Sequence, residues 1–357
     1  MAAAALGASA FSVPAVASDA PTWTSTADVT VVKAKKTVQD LKKFWTPERM
    51  KAAKPVPLPA VKGGTSAAQG AMAQTPGDGV ASADAVPPQG ASANVAGSYS
   101  TEAADLSVSQ TWDGPTTSWP LNATGKLFFT EPDGTSSECS ASVIVSNGKS
   151  ALWTAGHCIH DGKSGQAGFY KNVAFAPAYN GTAPSPAPWG IWEANNLIVP
   201  SAWSNGDSDK ELNADFGSVI LNAESGYGKI QDAIGAYGYR FGAGSDYSDI
   251  VDFGYPADGY NRPDSDFNGG EKLMYCYGNV EDAFNWNPLD NRMSMDCDMG
   301  HGASGGPMLS GFPQNIAIVG ANSHIDVNDA KERTTDNLYS SEHAARAISV
   351  INTVNSL

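Results

Sequence analysis

Three short stretches hold the residue types that acyl-transfer chemistry needs. They are Thr154-Ala155-Gly156-His157-Cys158, Ala214-Asp215-Phe216-Gly217 and Gly302-Ala303-Ser304-Gly305-Gly306-Pro307. A hydroxyl nucleophile requires a base to take its proton and a carboxylate to orient that base. His157, Asp215 and Ser304 supply the three in that order, 58 and 89 residues apart. Asp207 and Asp209 lie close to Asp215 and offer the same group. The glycines around Ser304 let the chain turn tightly enough for backbone N–H groups to converge on one oxygen.

Such residues must be held by elements far apart in sequence, and the surrounding texture is that of short strands. Leu127-Phe128-Phe129 is followed by the turn signal Pro132-Asp133-Gly134. The apolar run Ala141 to Val145 and the run Ala151 to Trp153 flank Asn147-Gly148. Short apolar runs between Asx-Gly turns predict an antiparallel meander. Similar runs recur at Phe216–Leu221, Ile250–Phe253, Leu273–Tyr277 and Ile316–Ala321. Only Ser341–Leu357 reads as a helix of any length, with Ala344, Ala345, Ile348, Ile351 and Val354 on one face.

The first hundred residues differ in character. Residues 2–17 are apolar and small, with Ala15 and Ala17 in an A-x-A pattern, and read as an export signal. Val38, Leu41, Phe44 and Trp45 fit one face of a short helix that Pro47 limits or restarts. From Pro55 to about Ala104 the chain is rich in Ala, Gly, Ser and Pro and reads as a flexible linker. The expected organisation is residues 1–17 signal, 18–105 pro-region and linker, 106–225 a first β-domain with His157 and Asp215, and 226–357 a second with Ser304.

Charge divides along the same line. The 357 residues carry 22 Lys/Arg against 37 Asp/Glu, a net of −15. Residues 1–62 hold nine Lys/Arg and four Asp/Glu, so a basic head precedes an acidic body on which it can dock. An acidic chain lacks the basic face a nucleic-acid partner needs. After the N-terminus no run of about 18 or more apolar residues follows, so no membrane-spanning helix is expected. Four cysteines without a CxxC pair do not suggest a zinc ribbon, and no metal or other cofactor is expected.

The motifs around His157 and Ser304 resemble the two signatures of the chymotrypsin-like serine peptidases. The wider texture is similar to the secreted, glutamyl-endopeptidase-like bacterial branch, over roughly residues 115–355. The resemblance implies an all-β fold of two six-stranded antiparallel barrels with a C-terminal helix, preceded by a largely disordered pre-pro region. It implies a secreted, monomeric serine endopeptidase, made as a precursor, whose partners are a polypeptide substrate and its own pro-region. Ser304 is then the nucleophile, His157 the base and Asp215 its orienting carboxylate, with Gly302 and Ser304 N–H groups as the oxyanion hole. It also implies disulfides Cys139–Cys158 and Cys276–Cys297, although four cysteines allow three pairings.

Departures from the family pattern are equally readable. Ala303 stands where animal digestive enzymes carry the Asp that pairs with a new N-terminal amine, so activation must rest on pro-region removal by another route. Asp298, six residues before Ser304, is a candidate receptor for a basic substrate side chain. Asn322 stands where Glu-specific relatives carry His; His324, on the same strand face, is the candidate for an acidic side chain, with Ser323 between them. His301 is expected at the cleft rim, and His160 and His343 at the surface. Asp326, Asn328 and Asp329, and Asp264 with Asp266, do not match a calcium loop. Two rivals remain: a GxSxG esterase using His324 or His343, and a catalytically silent peptidase-like binding protein.

Overall fold

The computed structural model describes residues 24–25, 28–62, 79–90, 106–206, 211–284, 290, 292–341 and 343–357. The expected signal, most of the linker, and Asp207 and Asp209 lie outside them.

Two β-barrels close on themselves. In the first, β1 (Thr124–Thr130), β2 (Ser136–Ile144), β3 (Ala151–Thr154), β4 (Lys171–Pro177), β5 (Trp192–Pro200) and β6 (Gly217–Leu221) pair in the order β5-β4-β1-β2-β3-β6. Antiparallel pairing of β6 with β5 completes the ring. The second holds β7 (Tyr247–Gly254), β8 (Met274–Asp282), β9 (Met293–Asp296), β10 (Pro307–Ser310), β11 (Ala317–Val327) and β12 (Arg333–Ser340) in the order β10-β7-β8-β9-β12-β11, and β10 pairs with β11 to close it. Closure turns one face of each strand onto a core. Leu127, Phe129, Val143, Leu152 and Val219 fill the first. Met274, Met293, Met295, Met308 and Leu338 fill the second.

The expected meander is β1-β2-β3, with Leu127 opposite Cys139 and Ser142 opposite Trp153. The C-terminal helix runs over Ala345–Ser356. It buries Ala347, Val350, Ile351 and Val354, and it packs back on the first barrel rather than the second. Leu106–Thr111, expected to open the first β-domain, pairs instead with β8 of the second barrel.

The N-terminal segment is part of this architecture. Val29–Lys33 pairs antiparallel with β5, Asn196 opposite Lys33 and Pro200 opposite Val29. The short helix forms at Leu41–Phe44, capped by Asp40, and a second starts at Pro47 with Thr46 as its cap. Both capping oxygens accept first-turn N–H groups that would otherwise lack partners. Leu41, Trp45 and Met50 enter the first core, and Trp45 Nε1 donates to Asn172 C=O at 2.8 Å. Lys36 pairs with Glu193 at 2.7 Å and Lys42 with Glu224, so the basic head meets acidic groups of the body. The stretch read as linker is also paired where it is described. Lys54–Pro55 joins β2, Ala60–Lys62 joins β11, and Ala81–Ala83 joins Gly238–Phe241.

Candidate active site

His157 follows β3 in a single 3-10 turn, Gly156–Cys158. Asp215 precedes β6, and β6 pairs with β3, so the two residues meet across neighbouring strands despite 58 residues of separation. The His157 backbone N–H donates to Asp215 Oδ1 at 2.7 Å, and Nδ1–H donates to Oδ2 at 2.8 Å. This double contact places the ring proton on Nδ1 and leaves Nε2 as the basic atom. Gly156 eases the approach, because a Cβ there would lie 3.0 Å from the Trp203 ring and 3.1 Å from Asp215 Oδ1, tight enough that these neighbours would have to give by a few tenths of an ångström.

Ser304 lies before β10, on a loop fastened to both barrels. Ser140 of β2 donates its N–H to Ser304 C=O at 2.7 Å. Gly305 N–H donates to Asn322 C=O at 2.8 Å, and Asn322 N–H donates to Gly306 C=O at 3.0 Å. Gly302 and Gly305 have φ of +95° and +78°, a region that favours glycine. A Cβ would also collide with Tyr255 O at 2.5 Å from Gly302, and with Thr154 Oγ1 at 2.1 Å from Gly305. The Cys139–Cys158 disulfide joins β2, which carries Ser140, to the turn that carries His157. Nucleophile loop and base are thus tied to one wall. The second disulfide is Cys276–Cys297, leaving no free thiol in the chain and no thiolate for a metal.

The Ser140 hydroxyl was not singled out in the sequence. It donates to Gly302 C=O at 2.8 Å and accepts from Tyr255 N–H at 2.9 Å, so it fixes the peptide plane beside the expected oxyanion hole. No local motif marks it; its partners lie more than 100 residues away.

Ser323 and His324, expected to line a substrate pocket, lie behind Asp215. Ser323 Oγ donates to Asp215 Oδ2 at 2.5 Å. Arg292 Nη1 donates to His324 Nε2 at 2.9 Å, so His324 carries its proton on Nδ1 and gives it to Ser323 Oγ, also at 2.9 Å. Arg292 is in turn held by both carboxylate oxygens of Asp290. A continuous chain of donors therefore runs from Arg292 through His324 and Ser323 to Asp215, which accepts from His157 on its other side. Burial, then Arg292, holds the His324 imidazolium well below its ordinary range, so the ring is neutral.

The remaining expected pocket residues are also committed to neighbours. Asp298 accepts from Ser109 N–H and from Arg262 Nη1, both at 2.8 Å, and is almost fully buried. Its charge is matched inside the protein. Asn322 Nδ2 donates to Asp252 Oδ1 at 2.9 Å; burial pushes that carboxyl well above the usual range. His301 borders the cleft, where Asp258 holds its N–H at 2.8 Å and Nδ1 at 2.7 Å.

His160 and His343 are not surface residues. Both are buried. His160 accepts from Gly162 N–H and donates to Gly165 C=O. His343 accepts from Trp153 Nε1 at 2.8 Å and packs against Trp153, Phe216 and Phe241. An isolated histidine between small or polar neighbours gives no periodic signal of burial. His343 and His324, the bases the esterase reading needs, are both buried and bonded to other partners. Near Gly302 a further buried pair, Lys126 and Glu138, meets at 2.9 Å; burial pushes the Glu138 carboxyl up to about 7 against the pull of Lys126.

Known proteins are similar in fold and, more weakly, in sequence. The protease Anisep from Arthrobacter nicotinovorans is 28% identical, with a TM-score of 0.57 over 70% of this chain and all of that one. The thermostable serine protease AL20, from an extremophilic microorganism, is 26% identical, with a TM-score of 0.55 over 68% of this chain and 99% of its own. The glutamyl endopeptidase of Bacillus licheniformis is 31% identical over 112 residues, and the match spans 31% of either chain. No family model matches the sequence. The two barrels and these likenesses are those of the chymotrypsin-like serine proteases.

Proposed function

We propose that this chymotrypsin-like serine peptidase is a secreted endopeptidase, made as a precursor, that cuts peptide bonds through His157, Asp215 and Ser304. The observation that carries the reading is the two-point contact of Asp215 with His157, which frees Nε2 for proton transfer. Ser304 Oγ attacks the scissile carbonyl while His157 Nε2 takes its proton. The oxyanion forms against the N–H groups of Gly302 and Ser304, where one donor is typically worth about 2.7–4 kcal/mol. His157 then gives the proton to the leaving amine, and an acyl-Ser304 ester remains. Water, deprotonated by His157, hydrolyses that ester and restores the hydroxyl. Asp215 keeps the imidazole tautomer throughout and offsets the imidazolium charge.

Two disulfides fit an oxidising compartment, which supports export. No helix among the described residues is long and apolar enough to cross a membrane. The test is covalent labelling by a serine-reactive peptidyl phosphonate, before and after removal of the N-terminal region. Labelling of the processed protein at Ser304, lost in Ser304→Ala and in His157→Ala, is expected. Full labelling of His157→Ala would favour an esterase-type arrangement, and no labelling at all a silent binding protein.

A further inference from the structure

Residues 54–62, Lys-Pro-Val-Pro-Leu-Pro-Ala-Val-Lys, cross the mouth between the barrels. Lys54–Pro55 pairs in parallel with Ser137–Glu138 of β2, and Val56 N–H donates to Glu138 C=O at 3.2 Å. Ala60–Lys62 pairs in parallel with Ile325–Val327 of β11, and Ile325 N–H donates to Pro59 C=O at 3.3 Å. Between these anchors Val56 and Leu58 are each only 5% exposed, Val56 in the first core and Leu58 in the second. Residues 56–60 line the cleft, of about 710 Å³, that also holds His157 and His301. Ser304 is 0% exposed and His157 5%. Ser304 Oγ and His157 Nε2 are buried without hydrogen-bond partners among the described residues.

The chemistry of the site fixes which way a substrate must lie. His157 belongs to the first barrel and must reach the leaving nitrogen. The leaving segment, C-terminal to the scissile bond, therefore lies toward β2, whose Cys139 is bonded to Cys158 beside His157. The acyl segment, N-terminal to that bond, lies toward β11, which holds the other side of the Ser304 loop. In N-to-C order a substrate meets β11 first and β2 second. Residues 54–62 meet β2 first and β11 second.

We propose that residues 54–62 are a reversed plug: they fill the substrate groove with the chain direction opposite to a substrate, and so block it without being cut by Ser304. The inference rests on the peptidase reading and adds how the precursor is silenced. Reversed polarity brings no peptide carbonyl to Ser304 with its nitrogen toward His157. Pro57 and Pro59 hold the bridge extended and offer no N–H to either wall. The surface so covered fits an extended peptide running antiparallel to both β2 and β11.

Two measurements test this. In the full chain, Leu58→Asp puts a carboxylate into the apolar contact. It is expected to speed phosphonate labelling of Ser304 by about tenfold or more, a shift of one decade in the closed-to-open ratio. The second needs no folded variant: a synthetic peptide of residues 54–62 is added to processed protein. It is expected to slow labelling competitively and to stay intact by mass spectrometry, while a peptide of the reversed sequence inhibits less. The plug is overturned if processed protein labels but the synthetic peptide neither slows it nor survives, or if folded Leu58→Asp labels no faster than the unaltered chain. A Ser304-dependent cut between residues 56 and 60 also overturns it, with the peptidase reading intact. If neither full nor processed protein labels, the peptidase reading itself fails and the plug with it.

Discussion

Ser140→Ala should cost catalysis out of proportion to one oxygen atom. The hydroxyl is fully buried, gives 2.8 Å to Gly302 C=O and takes 2.9 Å from Tyr255 N–H. Its removal leaves a buried carbonyl and a buried N–H unpaired, at about 1–3 kcal/mol each. Part of that cost falls on stability, and the melting temperature should drop by several degrees. The rest falls on the Gly302–Ala303 peptide, which lies between the Gly302 and Ser304 N–H groups and whose rotation would misalign them toward the oxyanion. Full loss of such a donor costs about 10²–10³ in kcat, so partial misalignment should give about 10–100-fold. KM should change little, because the ground-state substrate carries no developed charge there. The assay is kcat and KM of processed protein on a peptide amide, well below the variant's melting temperature, with a peptide boronate as tetrahedral mimic. Boronate affinity should fall in parallel with kcat. A lower melting temperature with unchanged kcat and boronate affinity would refute the positioning role.

Three further outcomes are expected. Asp215→Asn should keep the fold and lower kcat by about 10⁴, since the amide stabilises the wrong tautomer of His157; a loss below tenfold would contradict the geometry. His324→Phe removes the donor behind Ser323 and should lower kcat by about 3–10-fold with KM held, whereas a KM effect alone would assign His324 to substrate contact. Burial pushes the His343 pKa down to about 4. The unfolded chain therefore binds a proton between about pH 6.5 and 4 that the folded chain refuses, so stability falls as pH drops through that window. That single group accounts for about 3 kcal/mol, and denaturant melts of His343→Gln should show a flatter acid branch.

The sequence carried the parts of the site that chemistry writes locally. Ser304 needs glycines where φ is positive and the neighbouring chain is close, so Gly302 and Gly305 are visible as a motif. The strand that ends near His157 alternates with turns, and that pattern is also local. What was not legible depends on contacts across the fold. Ser323 reaches Asp215 over 108 residues, and nothing beside either residue announces the pair. Arg262 matches Asp298 from 36 residues upstream, so a candidate pocket acid is occupied by a partner no spacing rule supplies. Val29–Lys33 lies in the basic head, whose charge suggested docking on the acidic body, but nothing in its sequence names the strand it joins. Its burial comes from β5, whose Asn196–Pro200 offers an open edge.

Cleavage-site profiling on a diverse peptide library tests the central claim most directly, with processed protein compared against its Ser304→Ala variant by mass spectrometry. The account predicts cuts that vanish in the variant, with a preferred residue on the acyl side of the bond. Cuts that persist in Ser304→Ala, or none from a folded, disulfide-bonded, processed sample, would contradict it.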